Sequence, residues 1–419
     1  MQWVVLGIVA LTLLTIVVQP RGITEVWPAL LGGGAMLLLG VVSLPEALEV
    51  LRETADILLF LLGMMVLTWL AEQAGVFEWL AESMARLARG SGPLLYTLVF
   101  LLAAVVTALL SLDVTVLILT PIVYALSQRR RLDAVPFVFA CAFVANTGSL
   151  VLPISNLTNL LVYSRFQIDF LQFFKVMWLP NLAAVLTNLL LFFWIFKGQI
   201  PRRFTRRTTY QTPDTWWFHA AGSTLTVTLV ALLLSGLTRQ PLAWAALGGG
   251  AALLVIGLVG RQVKLPQVNA AISWPLFGFV IGMFLVVRGF ETAWLEDLRF
   301  TLPREPLPAL LLAVGGATIG SNVVNNVPMT LLALPFIART QDHLREIMAY
   351  GALVGANIGP TLTTYGSLAT MLWLTLIRQR GVRVSTTMYM RVALFTTPIV
   401  LLVATITLWL VLQWPAPGP

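Results

Sequence analysis

Polar side chains are scarce in this chain, and those able to do chemistry fall in four short stretches. Ser111-Leu112-Asp113 sits between the apolar runs "LLYTLVFLLAAVVTALL" and "VTVLILTP". "NTGSLVLPISNLTN" carries Asn146, Thr147, Ser149, Ser155, Asn156 and Asn159. "SNVVNN" carries Ser321, Asn322, Asn325 and Asn326, and "NIGPTLTTYGS" carries Asn357, Thr361, Thr363, Thr364 and Ser367. A side-chain amide in hydrocarbon needs several partners, so seven Asn gathered in such stretches point to a ligand site. Gly and Pro among them break helices and free backbone carbonyls and amides. Amides, hydroxyls and freed backbone suit a neutral hydrogen-bonding solute or a coordinated ion. Asp113 is the only carboxylate in the four stretches. An ionisable residue in such surroundings is functional by default, because burying its charge is expensive. Two roles fit it: a proton carrier, or a cap on a helix starting at Val114. Intramembrane aspartyl catalysis needs a second acid, and these stretches hold none, so an enzyme is not expected.

The elements that position these residues follow from composition. The chain has 419 residues, 58% hydrophobic and 11% charged, with a mean hydropathy of +0.88. Soluble domains run near a quarter charged, so an all-α polytopic membrane protein is expected. The first run, "VVLGIVALTLLTIVV", has no basic flank or small-residue cleavage site and reads as a span. The net charge of +8 marks cytoplasmic loops and does not imply nucleic acid. Cys141 is the one cysteine, and His219 and His343 stand at span ends without neighbours that ligate. No metal site and no cofactor are expected. Lone hydroxyls such as Thr107, Thr187 and Thr226 read as bonded to their own helices.

The chain is written twice. "WPALLGGGAMLLLGVV" (27–42) returns as "WAALGGGAALLVIGLV" (244–259), and "LGMMVL" (62–67) as "IGMFLV" (281–286). The amphipathic "FEWLAE" (77–82) and "TAWLED" (292–297) follow, and 144–161 aligns without gaps on 355–372. Such ordered self-similarity predicts two homologous halves, 1–197 and 217–419, joined by a basic linker at 198–216. Each half reads as three spans, a hairpin, an interrupted span and a last span. The hairpin arms are 93–111 and 114–127, then 307–320 and 327–338 around "GSNVVNN". Irregular backbone at membrane depth must line a cavity or be buried in protein. With the linker cytoplasmic, 17 of the 26 Lys and Arg fall inside, Arg21, Arg206, Arg207 and Arg383 among them. The expected architecture is two inverted repeats, about ten transmembrane helices plus two re-entrant hairpins, with the broken helices meeting at the midplane. The "LGGGA" pairs read as close helix contacts.

"LILTPIV" (117–123), "SNLTN" (155–159), "NNVP" (325–328) and "GSLATMLWL" (366–374) resemble the arsenite/antimonite efflux permeases of the ArsB type, in the ion transporter superfamily. The resemblance runs from about Trp3 to Trp409. It implies proton-driven export of trivalent arsenic and antimony across the cell (plasma or inner) membrane, in some members with a cytosolic ATPase partner. It also implies hairpins and broken spans that move as a unit against a scaffold. Family members often carry Asp where Asn146 and Asn357 stand, Lys where Thr361 stands, and Asn where Leu112 stands. Exchange of charge for amide or hydroxyl bears on the coupling ion. At neutral pH arsenous acid is uncharged, and its three hydroxyls suit amide and hydroxyl partners. Sodium/proton antiport is the main alternative, with silicic acid, related oxyanions or dicarboxylates behind it. A dicarboxylate is disfavoured because no Arg or Lys lies in the broken segments.

Overall fold

A computed structural model describes residues 1–19, 22, 24–205, 210, 211, 213, 215–294, 303–382 and 384–413. Arg21, Arg206, Arg207 and Arg383, several other linker positions and the end of "TAWLED" lie outside the described residues. Among the described residues the regular structure is helical, apart from one bridge between Ser91 and Arg203.

The chain begins with α1 (Gln2–Val18), α2 (Val26–Leu38), α3 (Leu44–Gln73) and the amphipathic α4 (Val76–Leu87). A hairpin follows: α5 (Gly92–Leu109), then α6 (Leu112–Val114) and α7 (Thr120–Arg129), made continuous by one widened turn over Thr115–Leu119. Next come α8 (Val135–Thr147), a break, α9 (Leu157–Phe166) and α10 (Phe170–Phe196). The second half runs α11 (Trp216–Leu237), α12 (Leu242–Val259), the short α13 (Leu265–Ala271) and α14 (Trp274–Trp294). Its hairpin is α15 (Pro306–Val324) and α16 (Asn326–Ala338), its broken span α17 (Asp342–Ile358) and α18 (Leu368–Gln379), and its last helix α19 (Thr386–Gln413). Among the described residues nine helices are long and apolar enough to cross a bilayer. The α1 and α2 helices, at 17 and 13 residues, fall short of the ~20 a perpendicular crossing needs.

Local sequence sets the helix starts. Ser43 and Glu46 close a capping box, with Glu46 Oε2 accepting the Ser43 N–H at 2.6 Å. Ser91, ahead of a Pro in the first turn, caps α5, while Asp169 and Thr215 cap α10 and α11.

Between lipid-facing helices there is little water to expel, so close contact between small residues drives packing. Gly63 of α3 lies on the backbone of Ala246 in α12, where a Cβ would collide. Gly282 of α14, its counterpart in the repeated hexamer, lies in the same way on the backbone of Ala29 in α2. Gly250 abuts the Gly63 carbonyl, and Gly33 the Gly282 carbonyl. The second helix of each half therefore packs on the third long helix of the other, α2 on α14 and α12 on α3. The last helices, α10 and α19, pack on each other, and α5 with α8 is matched by α15 with α17.

Both hairpin tips differ from expectation. At the first, the second arm starts at Leu112, so Ser111 is the cap: its Oγ accepts the Val114 N–H at 3.4 Å. Asp113 lies inside the first turn and is not the cap. At the second, α15 runs on to Val324 and places Ser321 and Asn322 inside a helix. Nothing in that stretch breaks a helix before Asn325, whose φ of 77 and ψ of 155 take the chain out of helical geometry.

Candidate transport site

The four polar stretches converge. The second arm of each hairpin packs against the far piece of the other half's broken span: α16 against α9, and α7 with its widened turn against α18. An aromatic core fixes the pieces relative to one another. Trp373 of α18 donates to the Val138 carbonyl of α8 at 3.0 Å and meets the Phe139 ring edge-on at 5.4 Å. Tyr389 of α19 donates to the Thr361 carbonyl at 3.1 Å.

Side chains then shape each break. In the first, the Asn159 amide donates to the carbonyls of Ser149 (2.6 Å) and Leu152 (2.9 Å). Ser155 Oγ donates to the Ala108 carbonyl at 2.7 Å, tying the break to the end of α5. In the second, the Asn322 amide donates to the carbonyls of Thr318 and Gly359, both at 2.8 Å. Thr363 donates to Asn322 Oδ1 at 2.7 Å and accepts the Gly366 N–H at 3.0 Å. Thr361 bonds the Ile358 carbonyl and Thr397 Oγ1.

One amide joins the halves. Asn357 Oδ1 accepts from Asn156 Nδ2 at 2.7 Å and from Thr158 Oγ1 at 2.5 Å, and its Nδ2 donates to Asn159 Oδ1 at 2.6 Å. Its repeat counterpart, Asn146, bonds only the Ala142 carbonyl at 3.2 Å and leaves Oδ1 buried without a partner. Thr147 and Ser149 bond carbonyls of their own helix end, of Phe143 and Asn146. Ser321 Oγ is buried and unpartnered. Thr364 is buried too.

Of the residues nominated from sequence, Ser111, Asp113, Asn156, Asn326 and Ser367 line one cavity of about 290 Å³. Asn325 borders an adjoining space of about 40 Å³. The remainder build the walls behind. The Asp113 carboxylate makes no hydrogen bond or ion pair with any described residue. Among the described residues no Lys or Arg lines the cavity. Sequence reasoning missed the opposite wall, where Met64, Thr68 and Glu72 descend α3 at four-residue steps. That periodic stripe, ending in a carboxylate, was the available signal.

Comparison with known proteins gives the chain its family. Residues 10–355 match the family described as citrate transporter, CitMHS. The Arsenical pump membrane protein of Escherichia coli K12 is 31% identical over 95% of this chain and 96% of its own length. That of Yersinia enterocolitica is also 31% identical, over 95% and 96%. The chain belongs to the ArsB-type permeases. An ArsB-type permease is a multi-pass membrane transporter, and the cavity between the hairpins and broken spans is the candidate place for its cargo. The fold of this ArsB-type permease is shared with the YdaH transporter of Alcanivorax borkumensis, at a TM-score of 0.55 and 18% identity, covering 89% of each chain.

Proposed function

We propose that the chain exports arsenous acid and antimonite across the plasma or inner membrane in exchange for protons. The observation that carries this is the cavity lining: Asp113, a carboxylate without a hydrogen-bond partner, stands beside the neutral groups of Ser111, Asn156, Asn326 and Ser367, with Glu25 and Glu72 farther along the wall. A neutral triol needs donors and acceptors but no fixed countercharge. The carboxylate beside it would carry the proton, binding it on one side and releasing it on the other. The names of the arsenical-pump relatives support the same cargo. Citrate fits poorly, since a trianion would meet Asp113 and Glu72 and no cation. Sodium is the second reading, because the same oxygens could coordinate it in antiport with protons.

The two halves, 1–197 and 217–419, are proposed to lie inverted, with the 198–216 linker and the Lys- and Arg-rich loops cytoplasmic. The matched glycine crossings support the two-fold relation of the halves, and the bias of Lys and Arg supports the orientation. A cytosolic arsenite-stimulated ATPase, if it associates, would meet that basic face. Uptake into inverted vesicles under an imposed pH gradient, comparing arsenite, antimonite, silicic acid and sodium, tests the proposal. Proton-dependent accumulation of arsenite is expected, and accumulation of sodium alone would replace this reading with the second.

A further inference from the structure

Three cavities are strung along one seam, between α3 and α9. The cavity holding Asp113 takes Met64, Thr68 and Glu72 from the later part of α3, and Leu157 from the start of α9. Two more, of about 350 and 450 Å³, lie at the opposite ends of the same two helices and share Asp56, Ile57, Ser164 and Gln167. Phe60 and Leu160 line both the Asp113 cavity and the 450 Å³ one. Their side chains are buried, at 3% and 5% exposure. On each helix the wall is therefore a single residue thick. Phe60 lies near the middle of a 30-residue helix, about 45 Å long.

The chemistry changes across this wall. The Asp113 side carries carboxylates and no cation. The other side is a field of ion pairs: Arg288 with Glu53 at 3.0 Å, Arg165 with Glu291 at 3.6 Å, and Arg239 with Asp169 at 3.1 Å. Among the described residues no hydrogen bond or ion pair ties α3 to α9, so the seam can part without breaking one.

We propose that Phe60 and Leu160 are the seal between the two aqueous sides, and that the path opens by parting this pair. An apolar constriction excludes water and ions by dewetting. It would let Asp113 exchange protons with one side at a time, which coupled transport requires. This rests on reading the chain as a transporter, but its test uses no substrate.

Cys141 is buried, so added thiols can be read singly. Ser164→Cys and Leu157→Cys are placed one at a time in the full-length protein in membranes. An impermeant thiol reagent is then applied to each face on ice. Ser164→Cys should react from one face and Leu157→Cys from the other. Adding Phe60→Ala, or Leu160→Ala where the first variant does not fold, should let Leu157→Cys react from both faces. Its unchanged reaction from its own face shows that the variant is folded. The proposal falls if Leu157→Cys reacts equally from both faces with the pair intact. It falls too if Leu157→Cys stays protected in the Phe60→Ala/Leu160→Ala protein, or if neither thiol reacts. Faces swapped relative to the charge-based orientation would overturn that orientation and leave the seal standing.

Discussion

Asn146 and Asn357 hold equal positions in the repeated segments, yet only one is fully bonded. Asn357→Ala would strip partners from Asn156, Thr158 and Asn159 at once, each a buried polar group. Leaving such groups unsatisfied costs about 1–3 kcal/mol each. Thermal denaturation in detergent should show a large loss for Asn357→Ala and a small one for Asn146→Ala, which gives up one local bond. Asn326, by contrast, lines the cavity. Asn326→Ala should leave stability near wild type and weaken arsenite binding by about 0.5–1.5 kcal/mol, roughly three- to tenfold, in a binding titration. Asp113→Asn keeps the side chain's shape and fixes its charge at zero. The variant should still bind arsenite and exchange it, but fail to accumulate it when a proton gradient is imposed. Intact proton-driven accumulation by a folded Asp113→Asn protein would remove Asp113 from the mechanism. The amide clusters were legible because Asn is so rarely placed in apolar runs. Which amides face the cavity was not, since that depends on partners from the other half.

Among the elements, the corner joining α4 to α7 is where charge is buried. Glu82 is fully buried, with Arg130 at 2.7 Å and Arg129 at 3.2 Å, while Arg130 also donates to the Thr205 carbonyl. Removing one partner of a buried pair costs about 3–5 kcal/mol, whereas replacing both with apolar residues is often near neutral. Glu82→Ala should therefore melt well below wild type, and Glu82→Leu with Arg130→Met should recover most of the loss. In the sequence "RRR" at 129–131 is only one more basic loop, because the partner carboxylate lies on a different helix. The hairpins were legible from their polar tips. Their turning points were not: a serine cap and an asparagine at φ 77 and ψ 155 decide the residue at which each helix ends. Length of arm is set by these caps more than by hydropathy.

For the whole molecule, the repeat in the sequence and the packing in space agree at particular residues: Gly63 with Gly282, Ala246 with Ala29. Gly63→Leu or Gly282→Leu should each force a helix pair apart, and equal losses of folded yield would reflect their equivalent crossings. Orientation is checked by thiol labelling at exposed sites. Gln128→Cys should react from the cytoplasm and Asp342→Cys from outside. Reaction of both from one side would overturn the inverted arrangement.

The glycine crossings also impose an order on biogenesis. When α2 leaves the ribosome, the helix that will cover Gly33 has not been made, and α3 likewise waits for α12. Such distant pairings are slow to form and leave intermediates open to misassembly. The first half must stand in the lipid with its small-residue seams uncovered until α12 and α14 of the second half have been made. A nascent chain stalled within the linker would be a natural target for membrane proteases. Two fragments divided there and made together should find each other, each serving as the other's missing chaperone.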